Sequence, residues 1–148
     1  MLIQILQQIF KRDLQKLKLE IEQYQNENAL WLIEESITNS AGNLCLHLIG
    51  NLNHFIGNVI GNTGYVRQRD LEFSQRYIPK KELLAMIDAT LLMVDDVLKN
   101  MPIESLEKEY PRQVFETKTT TQYFLIHLTT HLSYHLGQIN YHRRLLDT

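Results

Sequence analysis

The feature that most constrains this chain is a row of histidines near its C-terminal end. His127, His131 and His135 are spaced four apart in the stretch 127–144, HLTTHLSYHLGQINYHRR. At about 100° per residue, these positions form one line along a helix. One side of this line is aliphatic, and the other consists of Tyr123, Tyr134 and Tyr141. We therefore predict that the histidines lie in the middle of a wide buried face. The opposite face, which we expect in water, consists of Thr129, Ser133, Asn140 and Arg144.

A second predicted helix carries a similar polar row. Its members are spaced three or four apart and are Asn43, His47, Asn51, His54 and Asn58. The other faces are apolar or carry glycine, at Gly50 and Gly57, and a helix that is apolar nearly all round is usually buried. The polar side chains of this row then either form hydrogen bonds with one another in the core or line a cavity. Alternatively, the back of the helix forms the core and the row lies in water.

Composition is typical of a globular protein. The 148 residues are 44% hydrophobic and 22% charged, with a formal net charge of −2, which predicts a single domain over residues 1–148. This charge gives no electrostatic argument for nucleic acid or membrane partners, and no apolar run approaches the roughly 18 residues that cross a bilayer. The start lacks the features of a signal peptide, and the single cysteine, Cys45, fits a reducing compartment. We therefore expect a cytoplasmic protein.

Helical periodicity predicts four long helices. They cover residues 2–25, 41–60 and 79–100, and a last helix begins near Thr120. The connector 26–40 contains Trp31, which we expect to pack on the bundle, and residues 61–78 read as a long charged loop. This pattern indicates an all-α fold, a four-helix bundle with a long connection between helices 2 and 3.

Histidine spacing limits which residues can share a metal ion. Two histidines four apart on a helix are about 6 Å apart along its axis and point in similar directions. His127 and His135 are about 12 Å apart, so the open choices are His127/His131 and His131/His135. By the same arithmetic the second helix adds at most one ligand, His47 or His54.

Three histidines from two helices would leave coordination positions for water or substrate, as in catalytic sites, and imidazole suits zinc, nickel, copper or iron. The competing interpretation is a metal-free hydrogen-bonded network of the histidines with Asn51, Tyr134 and Gln138.

Three segments resemble the DinB/YfiT-like superfamily of metal-dependent helical bundles, and in particular a bacterial branch of it. They are HLIGNL at 47–52, RQRDLEF at 67–73 and GQINYHRR at 137–144, and the likeness covers nearly the whole chain. The superfamily motif is one histidine in the second helix and an HxxxH in the fourth, followed by a glutamine. The resemblance implies that the metal ligands are His47, His131 and His135. It also implies that His54, His127 and His142 are not ligands.

The resemblance also implies a chemistry. Characterised members look like divalent-metal enzymes that use a low-molecular-weight thiol, including bacillithiol-type S-transferases and a mycothiol-dependent isomerase. The chain is then expected to hold zinc, nickel or iron and to transfer a thiol to an electrophilic small-molecule substrate, and to form a homodimer. The alternative is a non-catalytic metal-binding or stress-related bundle protein, or a metal-free binding module. An open metal site beside a cavity favours the enzyme; closure by His127 or a carboxylate, or the lack of a pocket, favours the alternative.

Each of the other residues around this site has two candidate roles. Asn51 and Gln138 either orient a ligand or a bound water or belong to a buried polar network. The loop with Arg67, Arg69 and Glu72 either folds over the open end of the site, where the arginines bind a substrate carboxylate, or forms a structural ion-pair cluster. Cys45 points away from His47, so we expect a core residue and a thiol supplied from outside.

Overall fold

The computed structural model describes residues 1–148, which form helices and irregular connections. The α-helices are α1 (Leu2–Glu22), α2 (Ala41–Leu52), α3 (Arg69–Ser74), α4 (Lys80–Asn100) and α5 (Thr121–Leu146). The four longer ones form a bundle in which α1 and α2 each pack against both α4 and α5. The predicted all-α four-helix bundle is confirmed, and its long connection joins the second and third of the long helices, α2 and α4. None of the helices has the length and apolar character needed to cross a membrane.

The buried apolar side chains of the bundle form one connected cluster. In α1 they recur at spacings of three and four, as the sequence predicts, and are Leu6, Phe10, Leu14, Leu17 and Ile21. In α5 they include Leu125, Leu128, Leu132 and Ile139. Apolar stripes of this spacing face one direction on a helix, so they fix how α1 and α5 rotate about their axes.

The connector between α1 and α2 is anchored by Trp31. It contains a short 3₁₀-helix, Glu27–Trp31, and the Trp31 side chain is buried. The indole packs so closely on Gly42 that a Cβ there would lie 2.6 Å from the ring. Ser40 then begins α2 by accepting a hydrogen bond from the backbone N–H of Asn43. The expected packing role of Trp31 and the helix start near Ser40 are confirmed.

The helix predicted over 41–60 changes its hydrogen-bonding pattern after Leu52. Every residue of α2 itself is buried, but Asn53–Asn58 form a π-helical turn, with bonds such as Val59 N–H to the carbonyl of His54. At the start of this turn, the Asn53 side chain donates to the carbonyl of Ile49 and to Thr90 Oγ1 on α4. Side-chain bonds of this kind compete with the regular helical ladder.

The segment 61–78 is not the continuous loop that we predicted, because it contains α3. Asn43 on α2 donates its side-chain amide to the backbone carbonyls of Glu72 and Gln75. These two bonds satisfy carbonyls at the C-terminal end of α3 that have no partner within the helix. A buried residue of α2 therefore determines where this short helix ends.

The buried face of α5 is narrower than its sequence predicts. Thr120 caps the helix as expected, but the side chains of Tyr123, Tyr134 and Tyr141 are exposed rather than buried. Thr129, expected in water, is buried and donates its hydroxyl to the carbonyl of Ile126. Its polar group is satisfied within its own helix, which removes the cost of burying it. The histidine row thus lies at the edge of the buried face.

Candidate metal centre

Three histidines from two helices converge on one point. His47 comes from α2, and His131 and His135 lie one turn apart on α5. The Nε2 atom of His131 is 3.2 Å from Nε2 of His47 and 3.2 Å from Nε2 of His135. One ring nitrogen from each of the three histidines lies within 4.8 Å of the others, a group that could hold a metal ion.

Two of the three separations fit a metal ion in a tetrahedral arrangement, and the third is at most 4.8 Å. With metal–nitrogen bonds of about 2.0–2.1 Å, two ligand nitrogens are about 3.3–3.4 Å apart. The two measured separations of 3.2 Å are close to this value. Three nitrogen ligands also leave at least one position of the tetrahedron for a water molecule or a substrate atom.

Glu72 fixes the ring of His47 from behind. Its Oε1 atom is 3.0 Å from Nδ1 of His47, and both side chains are buried. Burial acts to raise the pKa of Glu72, but hydrogen bonds from His47 and Arg67 outweigh it, so the pKa lies below its usual value. An ionised carboxylate only accepts, so Nδ1 of His47 carries the proton and Nε2 presents its lone pair.

Gln138 holds the ring of His135 in the way that Glu72 holds the ring of His47. The Oε1 atom of its amide is 2.7 Å from Nδ1 of His135. Because an amide oxygen accepts, the Nδ1–H of His135 donates and its Nε2 lone pair points toward His131. Two of the three rings are thus held in the tautomer that a metal ion requires.

His131, between the other two, has no hydrogen-bond partner on its far side. Its Nδ1 atom is buried without a partner. Burial, together with the nearby His135 and His47, lowers the pKa of His131 to about 4, so the ring is neutral at pH 7. Its single N–H could satisfy only one of the two facing Nε2 lone pairs. An ion between the three nitrogens satisfies all of them.

The remaining histidines lie outside this group. The ring of His54 packs on Phe55, and that of His127 packs on Phe115. His142 is buried against the connector between α1 and α2, where Nδ1 is 2.7 Å from the hydroxyl of Tyr24 and Nε2 is 2.9 Å from the carbonyl of Leu32. The geometry therefore brings together His131/His135 rather than His127/His131, and His47 rather than His54.

The comparison with protein families agrees with the helical fold. A family model described as a protein of unknown function, DUF1572, matches residues 2–148. The chain belongs to the DUF1572 family. No curated protein matches it.

Asn51 and Cys45 in this DUF1572 chain are both buried in α2. The Oδ1 atom of Asn51 has no hydrogen-bond partner in the protein. This oxygen therefore takes no part in a hydrogen-bonded network with the histidines, which was the metal-free alternative to the site. Tyr134, another proposed member of that network, is exposed. Cys45 is fully buried, and burial raises the pKa of its thiol to about 12, which makes it a core residue rather than a nucleophile.

The loop residues of the DUF1572 chain divide between two roles. Arg67 binds Glu72 through Nε and Nη2, both at 2.9 Å, which is the ion pair that we considered. Glu72 itself is buried and binds Nδ1 of His47 as well as Arg67, and a role of this loop in binding substrate stays a prediction. Arg69 is exposed, with its guanidinium 5.2 Å from the centre of the Phe73 ring.

The contact between Glu72 and His47 is what sequence reasoning missed in this DUF1572 chain. A Cβ at Gly50 would overlap the Glu72 carboxylate, so the glycine makes the space that the carboxylate occupies. The sequence signal was present: Gly50 lies in the same helix as His47, on the side left open for a neighbour. The identity of that neighbour depended on the unpredicted helix α3.

Proposed function

We propose that this chain is a divalent-metal enzyme that transfers a low-molecular-weight thiol to an electrophilic small molecule. The observation that carries the proposal is the convergence of the three Nε2 atoms of His47, His131 and His135. The sequence resemblance to the DinB/YfiT-like superfamily supports the thiol chemistry. The favoured ions are zinc, nickel and iron, which imidazole nitrogens bind well.

A divalent ion at this point would act as a Lewis acid and lower the pKa of an incoming thiol. The chain supplies the fixed surroundings. Glu72 and Gln138 hold the rings of His47 and His135 in position, as partners of metal-binding histidines commonly do. The centre of the Phe73 ring lies 5.0 Å from that of the His47 ring, so Phe73 covers one side of this imidazole. Arg67 balances the charge of Glu72.

The reacting thiol comes from outside the chain, because the single cysteine is buried. Neither His127 nor a carboxylate completes the group: the His127 ring centre is 6.4 Å from that of His131, and Glu72 binds the far nitrogen of His47. A cavity of about 250 Å³ lies between the connector and α5 and is lined by Gln138, Tyr141 and His142. Because Gln138 also contacts His135, this cavity is the favoured position for a small substrate.

Metal stoichiometry tests the first part of the proposal. Wild type, His131→Ala and His54→Ala are purified without a histidine tag, supplied with zinc, nickel, iron or manganese, and analysed for bound metal. We expect about one ion per chain in wild type and His54→Ala and none in His131→Ala, while circular dichroism shows helical protein throughout. Failure of wild type to retain any of the four ions would contradict the metal site.

Turnover tests the second part. The loaded protein is mixed with low-molecular-weight thiols and a panel of electrophiles, and thiol consumption is followed against His131→Ala. We expect consumption that requires both the ion and an added thiol. Metal binding without consumption of any thiol would instead support the alternative function.

The alternative is a non-catalytic bundle protein that binds a metal ion or a small molecule. One observation favours it: either one of the two 3.2 Å separations between histidine nitrogens also matches an N–H···N hydrogen bond donated by His131. A larger cavity of about 430 Å³ also lies away from the histidines, lined by residues that include Asp96 and Lys108. The stoichiometry and turnover experiments separate these functions.

A further inference from the structure

Two polar side-chain atoms inside the bundle have no hydrogen-bond partner in the protein. One is Oδ1 of Asn51 on α2, and the other is Nδ1 of His131 on α5. Asn51 is only 7% exposed, and a buried polar atom without a partner costs stability. No other buried side chain has such an atom. Because α2 and α5 pack on each other, the two atoms are candidates to bind one another.

The packing of α2 on α5 brings Asn51 to the level of this histidine. The ring centres of His47 and His131 are 5.0 Å apart, and those of Phe55 and Phe124 are 5.1 Å apart. Between these two contacts the residue number rises along α2 and falls along α5, so the helices are antiparallel. Asn51 is four residues from both His47 and Phe55, which places it on the same face of the helix. It therefore faces α5 between the two ring contacts.

The unpartnered nitrogen of His131 points toward the same space. Its Nε2 atom lies 3.2 Å from Nε2 of His47 and 3.2 Å from Nε2 of His135, which is one turn nearer the C-terminal end of α5. Nδ1 is on the other side of the imidazole and is therefore turned back along α5, away from His135. The ring of His127 is also on that side, centred 6.4 Å from that of His131, but it makes no hydrogen bond to this nitrogen. Asn51 is the side chain that α2 presents at this level.

The two atoms cannot bond in the metal-free protein because both are acceptors there. The rings of His47 and His135 present Nε2 lone pairs to His131, since hydrogen bonds hold their protons on Nδ1. The single N–H of the neutral His131 ring is then on Nε2, where it donates to one of these lone pairs. Its Nδ1 atom keeps a lone pair, and a lone pair does not bond to the amide oxygen of Asn51.

We propose that Asn51 positions His131 in the metal-bound protein, an inference that rests on the metal site of the proposed function. With Nε2 bound to an ion, the proton of His131 lies on Nδ1 instead. It moves between two nitrogens of one ring, so the ring stays neutral and no proton is gained or lost. Nδ1–H is then a donor, and Oδ1 of Asn51 accepts its hydrogen bond. Each of the three ligand rings then has an acceptor behind it, as metal-binding histidines commonly do.

Zinc affinity and the stability of the metal-free protein together test this role. Asn51→Leu removes the acceptor and keeps a side chain of similar size. We expect it to bind zinc about 10–100-fold more weakly than wild type in competition with a chelator. The metal-free variant should unfold at the same urea concentration as wild type or a higher one, because an unpartnered buried oxygen has been removed. A lower midpoint with unchanged zinc affinity would mean a structural asparagine and would overturn the inference.

Two further variants separate loss of the acceptor from loss of packing. Asn51→Asp keeps an acceptor oxygen and is expected to bind zinc at least as tightly as wild type. Asn58→Leu makes the leucine substitution two turns further along the same polar row, and its zinc affinity should equal that of wild type. Equal losses in Asn51→Asp and Asn51→Leu would overturn the inference and leave the metal site intact. Wild type that binds no zinc would overturn both.

Nitrogen NMR of protein with labelled histidine tests the change of tautomer, since protonated and unprotonated imidazole nitrogens differ widely in chemical shift. The signals of His131 are those that are absent from His131→Ala. We expect its proton on Nε2 in the metal-free protein and on Nδ1 after zinc is added. A proton already on Nδ1 without zinc would overturn the proposed change, because Asn51 would then face a donor in both states.

Discussion

Oε1 of Glu72 lies 3.0 Å from Nδ1 of His47, on the side of the ring that faces away from the histidine cluster. The two residues come from different helices, and both are buried. A carboxylate in this position fixes both the tautomer and the orientation of the imidazole. The position of Nε2 therefore depends on a residue that does not touch the candidate metal point.

Removing the charge of Glu72 should weaken metal binding without removing a ligand. We expect Glu72→Gln to lower zinc affinity by about 10–100-fold, the usual effect of losing such a partner. Competition with a fluorescent chelator measures the change, and Glu82→Gln, an exposed position on α4, is the control. Equal affinity in wild type and Glu72→Gln would show that the carboxylate is only structural.

Adding a methyl group at Gly50 should displace the same carboxylate. We expect Gly50→Ala to destabilise the fold by about 1–3 kcal/mol, because the new Cβ overlaps the Glu72 carboxylate. In a Glu72→Ala background the overlap is gone, and alanine, a better helix former, should be neutral or stabilising by up to about 1 kcal/mol. Urea unfolding of the four proteins gives this cycle. Additive effects of the two substitutions would contradict the contact.

The helices were predictable from sequence because their signals are local. Apolar spacing indicated the long helices, and Ser40 and Thr120 marked two of their starts, where both side chains accept a backbone hydrogen bond. The helix α3 was not predictable, since its end is fixed by Asn43, about thirty positions earlier in the chain. Tertiary contacts of this kind leave no periodic pattern.

The site was predictable in part for the same reason. Spacing restricted the histidine pairs to two and left His47 and His54 open, because the choice depends on how α2 and α5 rotate against each other. Only the family resemblance distinguished them. The tyrosines of α5 were misassigned as buried, since tyrosine suits both a core and an exposed interface.

Zinc should stabilise the fold if the cluster binds it only in the native state. At a free zinc concentration 100 times the dissociation constant, the expected gain is about 2.7 kcal/mol. Thermal unfolding with and without zinc measures it, and the gain should be absent in His131→Ala but present in His54→Ala. Equal stabilisation of all three proteins would indicate binding elsewhere.

Acid should destabilise the contact at His142 between α5 and the connector that joins α1 to α2. Burial lowers the pKa of His142, although its bond to the Leu32 carbonyl acts in the opposite direction. Because the pKa is lower in the folded state, the stabilisation is complete above the unfolded pKa of about 6.5 and declines as the pH falls below it. Protonation would also remove the acceptor for the hydroxyl of Tyr24, which is 2.7 Å away.

The variant His142→Gln separates this effect from that of other groups. It keeps a donor for the Leu32 carbonyl but cannot titrate, and it should cost about 1–3 kcal/mol at pH 7.5 by leaving Tyr24 without its partner. Urea unfolding at pH 7.5 and 5.5 should show a smaller pH difference in the variant than in wild type. An unchanged difference would assign the pH dependence to other residues.

Asn43 reaches α3 entirely through main-chain atoms, the carbonyls of Glu72 and Gln75. Such bonds form with any side chain at those positions. The outward-facing residues of the segment, such as Asp70 and Leu71, are consequently free to vary in sequence without moving the carboxylate that holds His47. Substitutions on the surface beside the histidines can thus leave the geometry of the three ring nitrogens unchanged.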